Sequence, residues 1–337
     1  MTCYPKIEPH RTPIQILSEN FTGLNCANSP NMLVLFLFAL LLIILNFLEL
    51  PESATHMIFT IQNVCKTQFD FLKYSEFHSA LICGTKIYEP KVKTLLTQSG
   101  LYHLVVVSSA HLIMLQGSLQ KMGQHYSLLR YLIKPSVAFY TILTGLQPPV
   151  VRALLHLKIE SKNKTMALGL SAVWISLFST LITFSILGKN SSLSLALSFA
   201  SSLALILSSQ IQIFKFKTLQ DALLVWIFLL PIISQWGNIH PITILVNVFL
   251  AFTITIIFIP LSILCLLIPS LQILDEILLD LLFRTLEFIC SGNLSLIDNS
   301  RSQLNEMGTW LYLSCLWILT NTFVTHKKRR LACSDLI

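Results

Sequence analysis

Charged side chains are scarce in this chain of 337 residues. Asp, Glu, Lys and Arg together make up 12% of it, against about 25% in an average soluble protein. Hydrophobic residues account for 54%, the mean hydropathy is +0.70, and the stretch Ala222–Leu274 contains no charged residue of these four types. A water-soluble fold could not bury so much apolar surface. The sequence therefore predicts an all-α polytopic membrane protein, a transmembrane helical bundle with about 7–9 spans.

Several motifs that would carry catalytic chemistry are also missing. The sequence contains no Walker A motif, so we do not expect the chain itself to be an ATPase. Its eight cysteines show no CxxC pair and no zinc-like spacing, and no H-x-H-x-D-H motif occurs. We therefore predict no catalytic residues, no metal and no cofactor, and a protein that is not an enzyme. Cys65 and Cys83 could form a disulfide if their segment faces an oxidising compartment, a condition that the sequence leaves open.

The excess of basic over acidic residues gives information on the partners of the chain and on its orientation in the membrane. The formal net charge is +7, which suits anionic membrane lipid and equally an anionic substrate. A Lys/Arg cluster after the last apolar run predicts a cytoplasmic C-terminus by the positive-inside rule. The apolar runs divide the chain into a polar lead (1–30), a first transmembrane helix (31–50), a small extramembrane segment (51–93), a main transmembrane domain (94–325) and a basic cytoplasmic tail (326–337).

Local patterns predict where elements begin and end in the first half. His56–Ile61 has a β-like composition inside the extramembrane segment. Gln147-Pro148-Pro149 predicts a break, because proline cannot donate to the helix ladder and disfavours helix in the residue before it. Lys158–Lys164 is polar and is interpreted as a loop.

The second half is dominated by long uncharged runs. Thr165–Gly188 and Asn190–Phe214 are predicted to form a helical hairpin. Pro260 and Pro269 are expected to bend or end the helices that contain them. Leu271–Ile289 alternates acidic and apolar residues at helical spacing, which favours a helix at the membrane interface or on a cavity.

The stretch Gly100–Gln120 has no charged residue, yet polar side chains interrupt its apolar run. Buried polar groups are costly in hydrocarbon unless they are paired, so such groups should face other helices or a wet cavity. His103, Ser108 and His111 are therefore candidate lining residues of a membrane passage. Hydrogen bonding between helices is the alternative for the two histidines, and small-residue packing is the alternative for the serine.

Arg152 is the strongest candidate for a functional side chain. An arginine at the centre of a span costs about 2.5–3.5 kcal/mol on insertion scales, so it requires a partner or water. A guanidinium can bind a phosphodiester through two parallel hydrogen bonds; the alternative is an arginine that extends to the interface. Gln235, Asn238 and Asn247 are further candidate lining residues around a second helix break, where an ordinary connecting loop is equally compatible with the sequence.

Three blocks of the chain together resemble the ComEC competence family. The first block is Gly84–Leu112, in which Ser99–Leu112 is similar to the signature G-L-x-H-L-[LV]-A-[IV]-S-G-x-H, with both histidines and the first serine kept. The second block, Leu143–Leu154, resembles the family block A-G-x-x-P-S-x-x-R-A. The third block, Gln235–Pro260, resembles the segment ending in A-N-L-[LV]-A-[IV]-P. Ser109 and Ala110 replace a Gly-Leu pair of the family, which makes a close backbone approach there less easy.

The resemblance implies a channel in the bacterial inner membrane that passes single-stranded DNA into the cytoplasm during natural transformation. It also implies a periplasmic DNA receptor and a cytoplasmic translocase or single-strand-binding protein as partners. We expect a short form of the family, with an OB-like domain that is absent or reduced to residues 51–93 and without the metallo-β-lactamase-like domain. A transporter of small solutes or lipids, or a degenerate homologue without transport, is the alternative; strand polarity and oligomeric state stay open.

Overall fold

The fold is helical throughout the described residues of the computed structural model. These are residues 52–106, 109–125, 127–188, 192–211, 214–233, 250, 253–290 and 306–334, and all their regular elements are α-, π- or 3-10 helices. The predicted all-α class is thereby confirmed.

In the first half, the described residues form seven α-helices. They are α1 (Glu52–Thr67), α2 (Ser75–Cys83), α3 (Pro90–Gln98), α4 (Tyr102–Val105), α5 (Ser109–His125), α6 (Ser127–Leu143) and α7 (Pro148–Thr165). In the second half, the part of the chain that the structure covers forms six α-helices, a π-helix and a 3-10 turn. They are α8 (Ala172–Leu187), α9 (Ser192–Gln210), α10 (Lys217–Ile233), the π-helix Ile254–Phe258, α11 (Ile259–Leu267), the 3-10 turn Pro269–Leu271, α12 (Gln272–Cys290) and α13 (Glu306–Ser334).

The β-like interpretation of His56–Ile61 is wrong, because these residues lie within α1. The less exposed positions of this helix are Ile58, Ile61, Gln62 and Cys65, which recur at three- and four-residue intervals. That is the spacing of one helical face. A window of six residues did not contain enough of this period to reveal it.

The loop predicted at Lys158–Lys164 is also wrong, because α7 continues to Thr165. A 2.7 Å ion pair between Lys164 and Glu160, one helical turn apart, stabilises this polar end of the helix. The break at Pro148 is confirmed: α6 ends at Leu143, and α7 begins at Pro148, where the missing N–H groups of prolines are not needed. The stretch Gly100–Gln120 is divided between α4 and α5.

Of the two prolines predicted to bend or end helices, Pro269 follows a helix end, whereas the helical backbone continues through Pro260. Pro260 follows the π-helix in the first turn of α11, and Pro269 begins the 3-10 turn that separates α11 from α12. The amphipathic helix expected over Leu271–Ile289 is observed as α12. Its Leu279 and Leu286 are buried, whereas Ile277 is exposed on the other side.

Among the described residues, three apolar cores hold the helices together. The first core contains residues of α1, α2, α3, α4, the π-helix, α11 and α12. Within it, a disulfide between Cys65 and Cys83 links α1 to α2. The second packs α8, α9, α10 and α13 together, and its α8–α9 contact confirms the predicted hairpin. The third is small and joins α5, α6 and α7 through Leu112, Val137 and Val150.

One described helix, Ser192–Gln210, is long and apolar enough to span a membrane by length and composition. Four further apolar helical stretches are shorter, between 10 and 17 residues. They are Tyr131–Leu143, Ala172–Leu187, Leu219–Ile233 and Ile256–Leu267. The predicted transmembrane helix at residues 31–50 lies outside the described residues.

Candidate functional site

Arg152 is buried inside the molecule, with 5% of its surface exposed. It lies in the second turn of α7, between Val151 and Ala153, which are also buried. Its Nε–H donates to the Ser198 hydroxyl at 2.8 Å, and its Nη1 donates to the Ser176 hydroxyl at 3.4 Å. No carboxylate of the described residues forms an ion pair with it. The structure thus places a cation among neutral hydroxyl groups.

The hydroxyl groups around this cation come from two neighbouring helices. Ser176 lies on α8, and its hydroxyl is 3.0 Å from that of Ser202 on α9. Ser198 and Ser202 are four residues apart, so they lie on one face of α9. Small serine side chains also allow helices in an apolar surrounding to approach closely. We call Arg152, Ser176, Ser198 and Ser202 the Arg152 site.

Sequence reasoning singled out Arg152 but missed the three serines of the Arg152 site, two of which bond the guanidinium directly. The signal was weak, because serines occur throughout both apolar runs and only the packing of α7, α8 and α9 distinguishes these three. Hydroxyl groups of α8 and α9 hold the guanidinium inside the helix packing, and the alternative of an arginine at the membrane interface stays open.

The other predicted lining residues are placed as follows. His111 is buried on α5, 4% exposed, next to Leu112, which packs against α7 in the third core. His103 lies on α4, a separate short helix before the turn that leads to α5. The structure therefore brings the helix of His111 against the helix of Arg152. Ser108, Gln235, Asn238 and Asn247 lie outside the described residues, and their predicted roles stay predictions.

Two of the family-like blocks meet where α2 ends and α7 begins. The Gln147 side chain donates from Nε2 to the carbonyl of Gly84 at 2.7 Å. Gly84 has a φ of +69°, and a Cβ on it would lie 2.9 Å from the Thr144 carbonyl oxygen. Only glycine tolerates both this conformation and this approach. Because Gln147 caps α7, this contact fixes the beginning of the helix that carries Arg152.

A second glutamine strengthens this junction from α1. The Gln62 side chain donates from Nε2 to the Cys83 carbonyl at 2.9 Å and to the Thr144 carbonyl at 3.4 Å. It also lies against Gly145, whose φ is +67°. The disulfide that joins α1 to α2 therefore lies directly beside the turn between α6 and α7.

A second buried charged group lies in the first core. His78 on α2 forms a 2.9 Å ion pair through Nε2 with Asp275 on α12, and both side chains are almost completely buried. The His78 Nδ1 is 2.8 Å from the hydroxyl of Ser262 on α11. We call these three residues the His78 site. Sequence analysis did not predict it, because its members are 13 to 197 positions apart (262 to 275, and 78 to 275).

The composition of the His78 site resembles that of a hydrolytic triad, but its geometry is that of a link between helices. The Ser262 hydroxyl is fully buried and donates to the Phe258 carbonyl at 2.6 Å. A nucleophile must reach its substrate, and this oxygen has neither exposure nor a free hydrogen. In the part of the chain that the structure covers, no group of three or more His, Cys, Asp or Glu side chains is arranged to hold a metal ion.

With this geometry established, comparison with known proteins identifies the family. The chain matches the competence protein family over residues 81–329, which is more than half of its length, and it belongs to that family. The matched range contains all three sequence blocks, so the resemblance to the ComEC family is confirmed. Neither the curated proteins nor the solved structures provide a significant match.

Proposed function

We propose that this protein is an inner-membrane channel that passes single-stranded DNA into the cytoplasm of a transformable bacterium. The observation that carries the proposal is Arg152, a buried cation without a described carboxylate partner, inside the region that matches the competence family. A buried ion needs an opposite charge or several hydrogen bonds to be tolerated. The phosphates of a transported strand would supply the missing negative charge.

The composition and the helices support a multi-pass membrane location with about 7–9 spans. Ser192–Gln210 meets the criterion for a spanning helix, and the four shorter apolar stretches have similar composition. Shorter helices span when flanking residues extend to the interface or the bilayer thins locally. The paired Cys65 and Cys83 favour the periplasmic side for α1 and α2, because disulfides persist in oxidising compartments.

The scarcity of charge is consistent with transport of a polyanion. A pathway must bind each phosphate strongly enough to replace its hydration shell and weakly enough to release it. A dense row of cations would retain the strand, since phosphate contacts dominate nucleic-acid affinity. The Arg152 site offers one guanidinium and several neutral hydroxyl groups. We expect this combination to bind a phosphate with moderate strength. On this proposal the helices around α7 must separate to admit the strand, because the guanidinium is enclosed.

Partners and driving force complete the proposal. The protein itself is a conduit and not an enzyme, so a periplasmic receptor delivers the DNA and a cytoplasmic translocase or single-strand-binding protein draws it inward. On this proposal the basic residues at the end of α13 face the cytoplasm, as the positive-inside rule predicts. Membrane lipid surrounds the helices.

The experiment that tests this function follows fluorescent DNA in a transformable host. Cells that carry the chain, cells that lack it and cells complemented with it are compared for surface-bound and DNase-protected DNA. We expect the deletion to retain surface binding and to lose internalisation, and complementation to restore it. Normal internalisation in the deletion strain contradicts the proposal and favours a transporter of small solutes or lipids, or a homologue without transport.

A further inference from the structure

The hydrogen bonds of Arg152 leave one particular edge of its guanidinium available. The group carries five N–H donors in a fixed planar fork. Nε–H is used by Ser198 and one Nη1–H by Ser176, which accounts for two of the five. The Nη2 amino group has no hydrogen-bond partner among the residues that the structure describes. Three donors remain, one on Nη1 and two on Nη2, and one donor of each nitrogen can point to the end of the fork when Ser176 takes the outer Nη1–H.

This end of the fork matches a phosphodiester group. Two parallel N–H donors at the end of a guanidinium can each bond one non-bridging oxygen of the same phosphate, and charge-assisted pairs of this kind are the strongest hydrogen bonds in proteins. A carboxylate would fit the same edge, but no described Asp or Glu is placed there. The described helices therefore supply no anion for this edge of the guanidinium.

The three serines have a distinct task in this arrangement. A flexible arginine side chain loses considerable rotamer entropy when it is fixed. Ser198 on α9 and Ser176 on α8 hold the guanidinium from two sides before any ligand arrives, and Ser202 holds Ser176 at 3.0 Å. Orientation that is established in advance lowers the cost of binding. Ser198 and Ser176 are thus positioning residues for the cation.

We propose that the Arg152 site binds one phosphodiester of single-stranded DNA, with the Nη1–Nη2 edge of Arg152 donating to the two non-bridging oxygens and Ser176 and Ser198 orienting the guanidinium. This inference rests on the proposed function and specifies the part of the DNA that the site recognises. It predicts recognition of the backbone and no preference for base sequence, because phosphate contacts carry no sequence information.

The test measures binding of a short fluorescent single-stranded oligonucleotide to the full chain in lipid nanodiscs, from about 50 to 200 mM salt. The logarithm of the association constant falls linearly with the logarithm of the salt concentration. Loss of one phosphate contact should reduce the magnitude of this slope by about 0.7. We expect this reduction for Arg152→Gln. Arg152→Lys keeps the charge but loses the fork, so it should retain the slope and bind several-fold more weakly.

The serine variants separate orientation from mere packing. Ser198→Ala removes the partner of Nε and should weaken binding several-fold with normal protein levels, and Ser198→Thr restores a hydroxyl and should recover most of the affinity. Arg284→Gln on α12, where the arginine is exposed, removes one positive charge elsewhere and serves as the charge-matched control. An oligonucleotide with an uncharged methylphosphonate backbone should bind wild type and Arg152→Gln equally.

The outcomes distinguish this inference from the proposed function. If deletion abolishes DNA internalisation but Arg152→Gln retains the wild-type affinity and salt slope, the phosphate site is wrong and the channel function stands. If the deletion strain internalises DNA normally while Arg152→Gln lowers the slope, the site stands and the transport function is wrong. Wild-type affinity in Ser198→Ala contradicts the positioning role, and absence of oligonucleotide binding by the wild-type chain overturns the whole inference.

Discussion

The His78 site and the Arg152 site bury charged side chains in opposite ways. His78 faces Asp275 at 2.9 Å, so its surroundings provide the balancing charge, and three helices are joined around it. Arg152 is equally enclosed but has only neutral serine partners among the described residues. A buried charge with its counter-charge is part of the architecture, whereas a buried charge without one is a stability cost that function can explain.

The largest expected effect comes from breaking the balanced pair. Asp275→Ala should lower the free energy of unfolding by about 3–5 kcal/mol, because it leaves a buried partner without its counterpart. Chemical unfolding in detergent micelles measures this. Glu276→Ala changes the neighbouring, partly exposed acid and should remain within about 0.5 kcal/mol of wild type. Equal effects of the two substitutions would show that the His78 site contributes no more than a surface charge.

A smaller effect, without loss of stability comparable to that of Asp275→Ala, is expected at the unbalanced charge. Arg152→Met replaces the guanidinium by an apolar side chain of similar length, so the free energy of unfolding should stay within about 1 kcal/mol of wild type or increase, because a buried charge is removed. The same unfolding experiment measures this free energy, and Arg284→Met, at an exposed position of α12, is the control. A loss comparable to that of Asp275→Ala would make the two sites alike and Arg152 a structural residue.

The smallest effect concerns an exposed contact beside the His78 site. The Tyr74 hydroxyl and the Lys73 ammonium, which is 3.0 Å from the carboxylate, both donate to Asp280 and lower its pKa below the ordinary value of 3.8. A lowered folded-state pKa gives stability that is present above about pH 3.8 and is lost as the pH falls through the folded value. Asp280→Asn should therefore flatten the acid limb of a stability–pH profile slightly. If the acid limb is unchanged in Asp280→Asn, the stability lost at low pH depends on other carboxyl groups.

Local signals in the sequence were sufficient for much of the fold. The Pro148-Pro149 break, the α8–α9 hairpin and α12 follow from proline chemistry, run length and helical periodicity, which a single segment contains. His56–Ile61 was misjudged because a window of six residues is too short to distinguish the helical period of about 3.6 residues from the strand period of two. Lys158–Lys164 was misjudged because polar residues also occupy the solvated end of a helix.

The candidate site was only partly predictable. A lone arginine in an apolar run is conspicuous, so Arg152 could be identified from its desolvation cost alone. Its serines could not, because the hydrogen bond from Arg152 to Ser198 joins residues 46 positions apart. The His78–Ser262 contact spans 184 positions, and no local pattern relates the two. Gln235, Asn238 and Asn247 remain sequence predictions.

The single hydrogen of the Ser262 hydroxyl has a consequence for the protons of its neighbours. That hydrogen is donated to the Phe258 carbonyl, so the 2.8 Å contact with His78 Nδ1 requires a hydrogen on the ring nitrogen. His78 and Ser262 are both fully buried, so the hydrogen on Nδ1 is sealed from solvent. The rate at which this hydrogen exchanges with deuterium would therefore report how often the packing of α2, α11 and α12 opens.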